Sequence, residues 1–379
     1  MADERLGWSG RVPELDGLRG VAILLVLVWH YVASPMNSDG AAATSGLRGT
    51  LALTWSGVDL FFVLSGFLIG GVLLDARSAT NYFAVFYARR AARIFPLYFA
   101  WLALFVVVAA FDPASTAPSL TPLFAHPMSL ASYATFTQNF AMARAATFGA
   151  GWLGITWSLA VEEQFYLLLP LLVRFVQPAA LPRVLVPAIA GAVVLRVALL
   201  RGLATPAIAI YTLLPCRADA LLVGVLSATL VRRDGVGRRA VESPRLLRAA
   251  LVVLVIGSGA LLVGFASPIS PTMVSIGYTW IALTYACVLL LARGGGSGSI
   301  ARLLRAGWLR RLGAISFGVY VVHQAVSGVC FALLLRRAPS LARPSDVVVT
   351  VAALVVTIAI AQASYTLAER PILRAAHRR

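Results

Sequence analysis

His30 follows Arg19 by eleven residues in the stretch 14–31, ELDGLRGVAILLVLVWHY. An imidazole exchanges protons near neutrality and can act as a base or nucleophile, whereas a guanidinium grips phosphate or carboxylate. If the apolar run between them is a membrane helix, the two are about 16 Å apart, half the thickness of a bilayer core. An ionisable group at that depth is costly and reads as functional. The competing reading puts His30 in an interfacial aromatic belt with Trp29 and Tyr31.

Further ionisable residues fall at comparable depth in other apolar runs. Asp59 is about 12 Å in, Glu162 about 15 Å, Arg217 and Asp219 about 14–16 Å, and His323 about 16 Å. Charges at that level must face one another or a water-filled cavity, because lipid cannot solvate them. Five runs sharing one level favour a functional cavity. Unrelated structural pairs are the bland alternative: Arg217 with Asp219 or Glu163, and Asp59 capping a neighbouring helix. A carboxylate can also orient an imidazole, which brings Glu162 and Asp59 beside His30. On the basic stretch 82–98, YFAVFYARRAARIFPLY, Arg90 and Arg93 share a helix face and could clamp a phosphate. An interfacial helix held by lipid headgroups explains that stretch equally well. Ser65 precedes Gly66 without a GxSxG frame, so the pair reads as small residues permitting close helix contact.

The elements that must position these groups are membrane helices. The chain has 379 residues, 60% hydrophobic and 12% charged, with a mean hydropathy of +0.85, which excludes an ordinary soluble domain. Ten apolar runs are long enough to span: 17–34, 51–74, 94–111, 152–176, 184–201, 208–231, 249–266, 272–292, 312–335 and 346–368. The expected fold is therefore all-α and polytopic, residues 1–379 forming a single membrane domain without internal repeats. The net charge of +17 comes from 32 basic residues, all arginine, spread over alternate loops and not gathered as a nucleic-acid surface. Twenty-four arginines fall on one side and six, Arg48 among them, on the other, while Arg196 and Arg217 fall within spans. The positive-inside rule then places both termini in the cytoplasm, with Arg5, Arg11, Arg378 and Arg379 on that side. Cys216, Cys287 and Cys330 have neither metal-ligand nor redox spacing, and no motif requires a metal. The acidic residues Asp3 and Glu4 argue against a cleaved signal peptide. The outer segment 112–151 suits an interfacial or re-entrant half-helix over a site. Residues 294–299, GGGSGS, read as a flexible linker.

Six pieces in order carry a family resemblance: ELDGLRGVAILLVLVWHY (14–31), GVDLFFVLSGFLIG (57–70), YARRAARIFPLYF (87–99), TWSLAVEEQFYLLLPLL (156–172), ISFGVYVVHQ (315–324) and ERP (369–371). The chain resembles acyltransferase family 3, integral-membrane O-acyltransferases that acylate sugars. The resemblance puts the family's arginine–histidine motif on Arg19 and His30, its RxxR motif on Arg90 and Arg93, and its glutamate on Glu162. It implies an acyl-CoA donor on the cytoplasmic side and a hydroxyl acceptor, commonly on the outer side. The chain ends eleven residues after the last expected span without an SGNH-like domain. Transfer is therefore expected to finish in the membrane domain or on a separate protein.

Together these readings predict an O-acyltransferase of the cytoplasmic membrane moving an acyl group, acetyl by expectation, from CoA to a carbohydrate hydroxyl. His30, Glu162 and Asp59 are the expected catalytic residues; Arg19, Arg90 and Arg93 are expected to bind the CoA donor. Arg217, Asp219 and His323 are expected around a substrate cavity. His30 acts either as base on the acceptor hydroxyl or as a transiently acylated nucleophile. The rival class is a proton-coupled transporter or flippase, which would predict inverted repeats and broken spans in corresponding halves.

Overall fold

The computed structural model describes residues 12–36, 51–203, 205–265, 267–295 and 298–377, and among these there is no β-strand. Arg5, Arg11, Arg48, Arg378, Arg379 and residues 296–297 of the linker lie outside the described residues. Ten long helices come in order: α1 (Pro13–Val28), α2 (Gly57–Asp75), α3 (Tyr82–Ala110), α4 (Trp157–Phe175), α5 (Leu181–Gly202), α6 (Leu214–Val231), α7 (Pro244–Phe265), α8 (Tyr278–Arg293), α9 (Ser316–Leu335) and α10 (Pro344–Ser364). Eight helical segments among the described residues are long and apolar enough to cross a membrane. α4 and α7 occupy the other two expected runs. The chain is an all-α, multi-pass membrane protein.

Where the helices depart from the expected limits, proline and turn chemistry explain it. The run 208–231 is broken at Leu213, whose backbone is extended, because Pro215 at the start of α6 cannot donate a hydrogen bond within a continuing helix. The basic stretch and the run 94–111 form one helix, α3, with Pro96 inside it. The run 312–335 divides at Ile315, between a short helix Gly307–Ala314 and α9. α1 continues through a π turn, Trp29–Ala33, into Ser34–Met36. Two more π turns precede α8 (Met273–Gly277) and succeed α10 (Tyr365–Glu369).

The residues fall into two compact units. The first contains the described residues within 1–22, 56–83 and 161–314. Its centre is the α2–α6 pair, where a methyl group at Gly66 would overlap the Leu221 carbonyl and one at Gly224 the Val63 carbonyl. Only hydrogen at both positions lets two backbones approach so closely. The start of α1 packs against the short helices Ser299–Leu304 and Gly307–Ala314 by the same device. Gly17 faces the Leu304 carbonyl and Gly20 the Leu309 carbonyl, while Arg305 closes an ion pair on buried Glu14 at 2.5 Å.

The second unit contains the described residues within 23–55, 84–160 and 315–379. Within it the outer segment is a chain of short helices, Pro113–Thr116, Thr121–Phe124, Leu130–Ala134 and Gln138–Ala145, in place of one re-entrant half-helix. Asp112, His126, Phe136 and Ala146 adopt positive φ where the chain reverses. Leu120 and Leu123 pack on Ala332 of α9. The Tyr133 backbone carbonyl accepts from the Tyr98 hydroxyl at 2.8 Å, and burial pushes the Tyr133 phenol up to about 12.

Candidate active site

In the second unit His30 occupies the π turn that ends α1. Its Nδ1–H donates to the Val26 carbonyl at 2.9 Å, which fixes the tautomer and leaves Nε2 as the basic nitrogen. The ring is half-buried. π turns recur at functional sites because the widened turn re-aims a side chain that a regular helix would hold in line. Next to it, the Tyr31 hydroxyl donates to the His323 carbonyl at 2.9 Å and shares a 2.7 Å hydrogen bond with Thr357, tying the turn to α9 and α10. The His323 ring lies edge-on to His30, with centroids 4.8 Å apart and planes 64° apart. Two of the sequence-predicted residues are thus brought into contact here.

The expectation that Asp59 or Glu162 orients the His30 ring is corrected at Nδ1, whose partner is a backbone carbonyl of its own helix. Asp59 is engaged elsewhere. In the first unit its Oδ1 accepts from Arg217 at 2.6 Å, and Asp219 pairs with Arg196 at 2.9 Å. Residues two apart on a helix do not face one another, which is why Arg217 pairs with α2 and not with Asp219. Arg196, placed within a span but given no partner by the sequence, binds three elements. It donates to the Cys216 carbonyl at 2.6 Å, the Thr279 hydroxyl at 2.6 Å and the Ser275 carbonyl at 3.1 Å, the last inside the π turn before α8. Thr279 in turn donates to Asp219. The Arg217 guanidinium lies 3.9 Å from the Tyr278 ring centroid.

All four charged side chains of this cluster are 0% exposed. Two cations and two anions cancel, as burial in a low dielectric demands. Arg217 and Asp219, expected around a substrate cavity, are fully buried here and join helices.

Glu162 is half-buried on α4, with Tyr166 one turn further along donating to its Oε2 at 3.2 Å. The same phenol is hydrogen-bonded to Ser65 of α2. The sequence assigned Ser65 to helix packing and passed over Tyr166; their signal was the i, i+4 spacing of Glu162 and Tyr166, which puts both on one face. Arg19 lies on the first turns of α1, 3.5 Å from Asp16. Arg90 and Arg93 are half-buried, one turn apart on α3 in the second unit. Near Arg93, the buried Glu369 of the π turn after α10 accepts from Ser364 at 3.1 Å. No group of three or more metal-ligating side chains occurs among the described residues.

Comparison with known proteins adds a family. Residues 12–366 match a family model described as an acyltransferase domain. The chain is similar to the peptidoglycan O-acetyltransferase OatA of Listeria monocytogenes, 25% identical over 381 aligned positions, covering 95% of this chain and 56% of that protein. It is 29% identical over 175 residues to the O-acetyltransferase OatA of Staphylococcus aureus, covering 45% of this chain and 26% of that one. With the putative peptidoglycan O-acetyltransferase YrhL of Bacillus subtilis it is 28% identical over 341 residues, 83% of this chain and 48% of the other. The chain thus spans about half the length of these relatives, or less. No solved structure matches.

Proposed function

Because the chain belongs to the acyltransferase-domain family, we propose that it is a membrane-embedded O-acyltransferase carrying an acyl group from acyl-CoA to a carbohydrate hydroxyl. The relatives' names support acetyl as the group and a glycan as the acceptor. The whole of residues 1–379 is read as one acyltransferase domain, seated in the cytoplasmic membrane with both termini in the cytoplasm. On that side Arg90 and Arg93 hold CoA phosphates through charge-assisted hydrogen bonds. His30 then takes the proton of the acceptor hydroxyl at Nε2 as the oxygen attacks the thioester carbonyl, and returns it to the departing thiolate. Glu162, bonded by Tyr166, is proposed as a second catalytic carboxylate.

The observation that carries this reading is the His30 tautomer: Nδ1 is occupied by Val26 and Nε2 is the nitrogen left for chemistry. The test is His30→Ala in detergent-purified protein, with free-thiol release from acetyl-CoA and acetyl-CoA binding measured together. Turnover should fall about 10²- to 10⁴-fold, the usual contribution of a general base, with donor affinity retained. Glu162→Gln should lower turnover in the same direction. Near-normal turnover in the alanine variant would remove His30 from the reaction.

A further inference from the structure

Where the outer segment meets α3 in the second unit, three polar side-chain atoms are buried without a hydrogen-bond partner: Nε1 of Trp101, Nε1 of Trp152 and Oε1 of Gln138. Their residues are 8%, 6% and 0% exposed. One buried polar atom left unpaired is costly, and three in one place call for a reason. The two indoles stack with centroids 4.9 Å apart and planes 27° apart. Gln138 lies alongside, its Nε2 donating to the Thr156 carbonyl at 2.9 Å and to the Tyr98 hydroxyl oxygen at 3.3 Å. Tyr98 is one turn before Trp101 on α3, and Thr156 follows Trp152 by four residues, so amide and indoles share one seam. A carbonyl only accepts, so the amide atom facing Thr156 is the nitrogen and the orphan is the oxygen. Neither nearby hydroxyl serves that oxygen: Tyr98 donates to the Tyr133 carbonyl at 2.8 Å and Thr156 to the Leu153 carbonyl at 2.6 Å.

We infer that this seam is the acceptor subsite: the two indole N–H groups donate to sugar oxygens, and one sugar hydroxyl donates to Gln138 Oε1. The inference rests on the reading of the chain as an O-acyltransferase with a carbohydrate acceptor. The set of donors and acceptors decides the class of ligand. A phosphate diester or a carboxylate would satisfy the indoles, yet it has no hydrogen for Gln138 and would set an anion against an amide oxygen. A polyol carries lone pairs and O–H groups on neighbouring carbons and meets both needs. Recognition runs through the indole edges, because the rings stack on each other. Phe124, on the short helix Thr121–Phe124, covers Trp152 with ring centroids 5.5 Å apart. That helix is tied to the seam by Gly151 N–H donating to the Pro122 carbonyl at 2.9 Å and Trp152 N–H to the Leu123 carbonyl at 3.1 Å. It is the element a sugar displaces on entry.

Trp101→Phe, Trp152→Phe and the double change keep an aromatic ring at each position and delete the N–H groups. Each variant, purified whole, is assayed for thiol release from acetyl-CoA with soluble peptidoglycan fragments as the acceptor probe, alongside thermal melting. Each single change should raise the acceptor Michaelis constant about 3- to 10-fold, the equivalent of one neutral hydrogen bond, and the double change about 10- to 100-fold. The donor Michaelis constant should stay where it is, since the lost contacts belong to the acceptor alone. A second measurement needs no turnover: without acetyl-CoA, the fragments should change the indole emission of the parent protein, and change it less in each single variant. If the double variant fails to fold, the single variants and the emission decide. An unchanged acceptor constant in folded variants would show that ordered water, not sugar, meets the N–H groups, and would overturn the inference. A loss confined to the donor constant would overturn it too. If the parent protein itself releases no thiol in response to the fragments, it is the carbohydrate-acceptor reading that falls.

Discussion

A histidine proposed as a base needs one ring nitrogen committed and the other available, and at His30 the commitment is made by a carbonyl one turn back on the same helix. No carboxylate is required to hold the tautomer. His30 was legible in the sequence as an ionisable group where lipid cannot solvate one; its tautomer was not, because that depends on the local helical turn. The pairing of buried charges was equally hidden: Arg217 offered Asp219 and Glu163 as near neighbours in sequence, yet finds Asp59, 158 residues away. A different kind of effect is expected at the arginines proposed to bind the donor. Arg93→Ala should raise the apparent Michaelis constant for acyl-CoA more than it lowers turnover, since phosphate binding is common to ground and transition states. Arg93→Lys should restore only part of it, lacking the two-pronged geometry. Initial-rate measurements over a range of acyl-CoA concentrations check both, and unchanged constants would return this helix to lipid anchoring.

The helices are joined by two devices of opposite cost. Gly66 and Gly224 allow α2 and α6 to touch, and the Asp59–Arg217 pair crosses the same two helices at 0% exposure. Removing one charge strands the other. Asp59→Asn should therefore destabilise by roughly 3–5 kcal/mol, whereas the double change Asp59→Leu, Arg217→Met should cost much less. Melting temperatures of the two variants in one detergent make the comparison; equal losses would mean the charges are worth more than their partnership. At this scale helix existence was readable from apolar length, and a close helix contact at Gly66 from its small residues, but α6 as the partner was not. Breaks were less so: Pro215 stands at the start of a new segment, whereas Pro96 is accommodated inside α3.

For the molecule as a whole, the sequence carries an expected orientation, since arginines concentrate in alternate loops. Single cysteines introduced in 112–151 should react with an impermeant reagent applied from outside, and cysteines in 232–248 should not. The reverse pattern would place Arg90 and Arg93 away from cytoplasmic CoA. The family was legible for a related reason: its motifs combine buried charges and close-packed glycines, both of which tolerate little change. The acceptor was not, because selectivity for an acceptor resides in the shape of a surface, and no residue type announces it.

The π turn at Trp29–Ala33 has a counterpart in the language of insertions and deletions. It holds one residue more than an α-helical turn needs, so losing a residue there restores a regular helix and keeps the later residues in rotational phase. Deleting Val32 should leave a protein that purifies and melts much like the parent but turns over little acyl-CoA, its imidazole re-aimed. Deleting Leu25, inside the regular part of α1, would instead swing every later residue of that helix by about 100° and undo its packing.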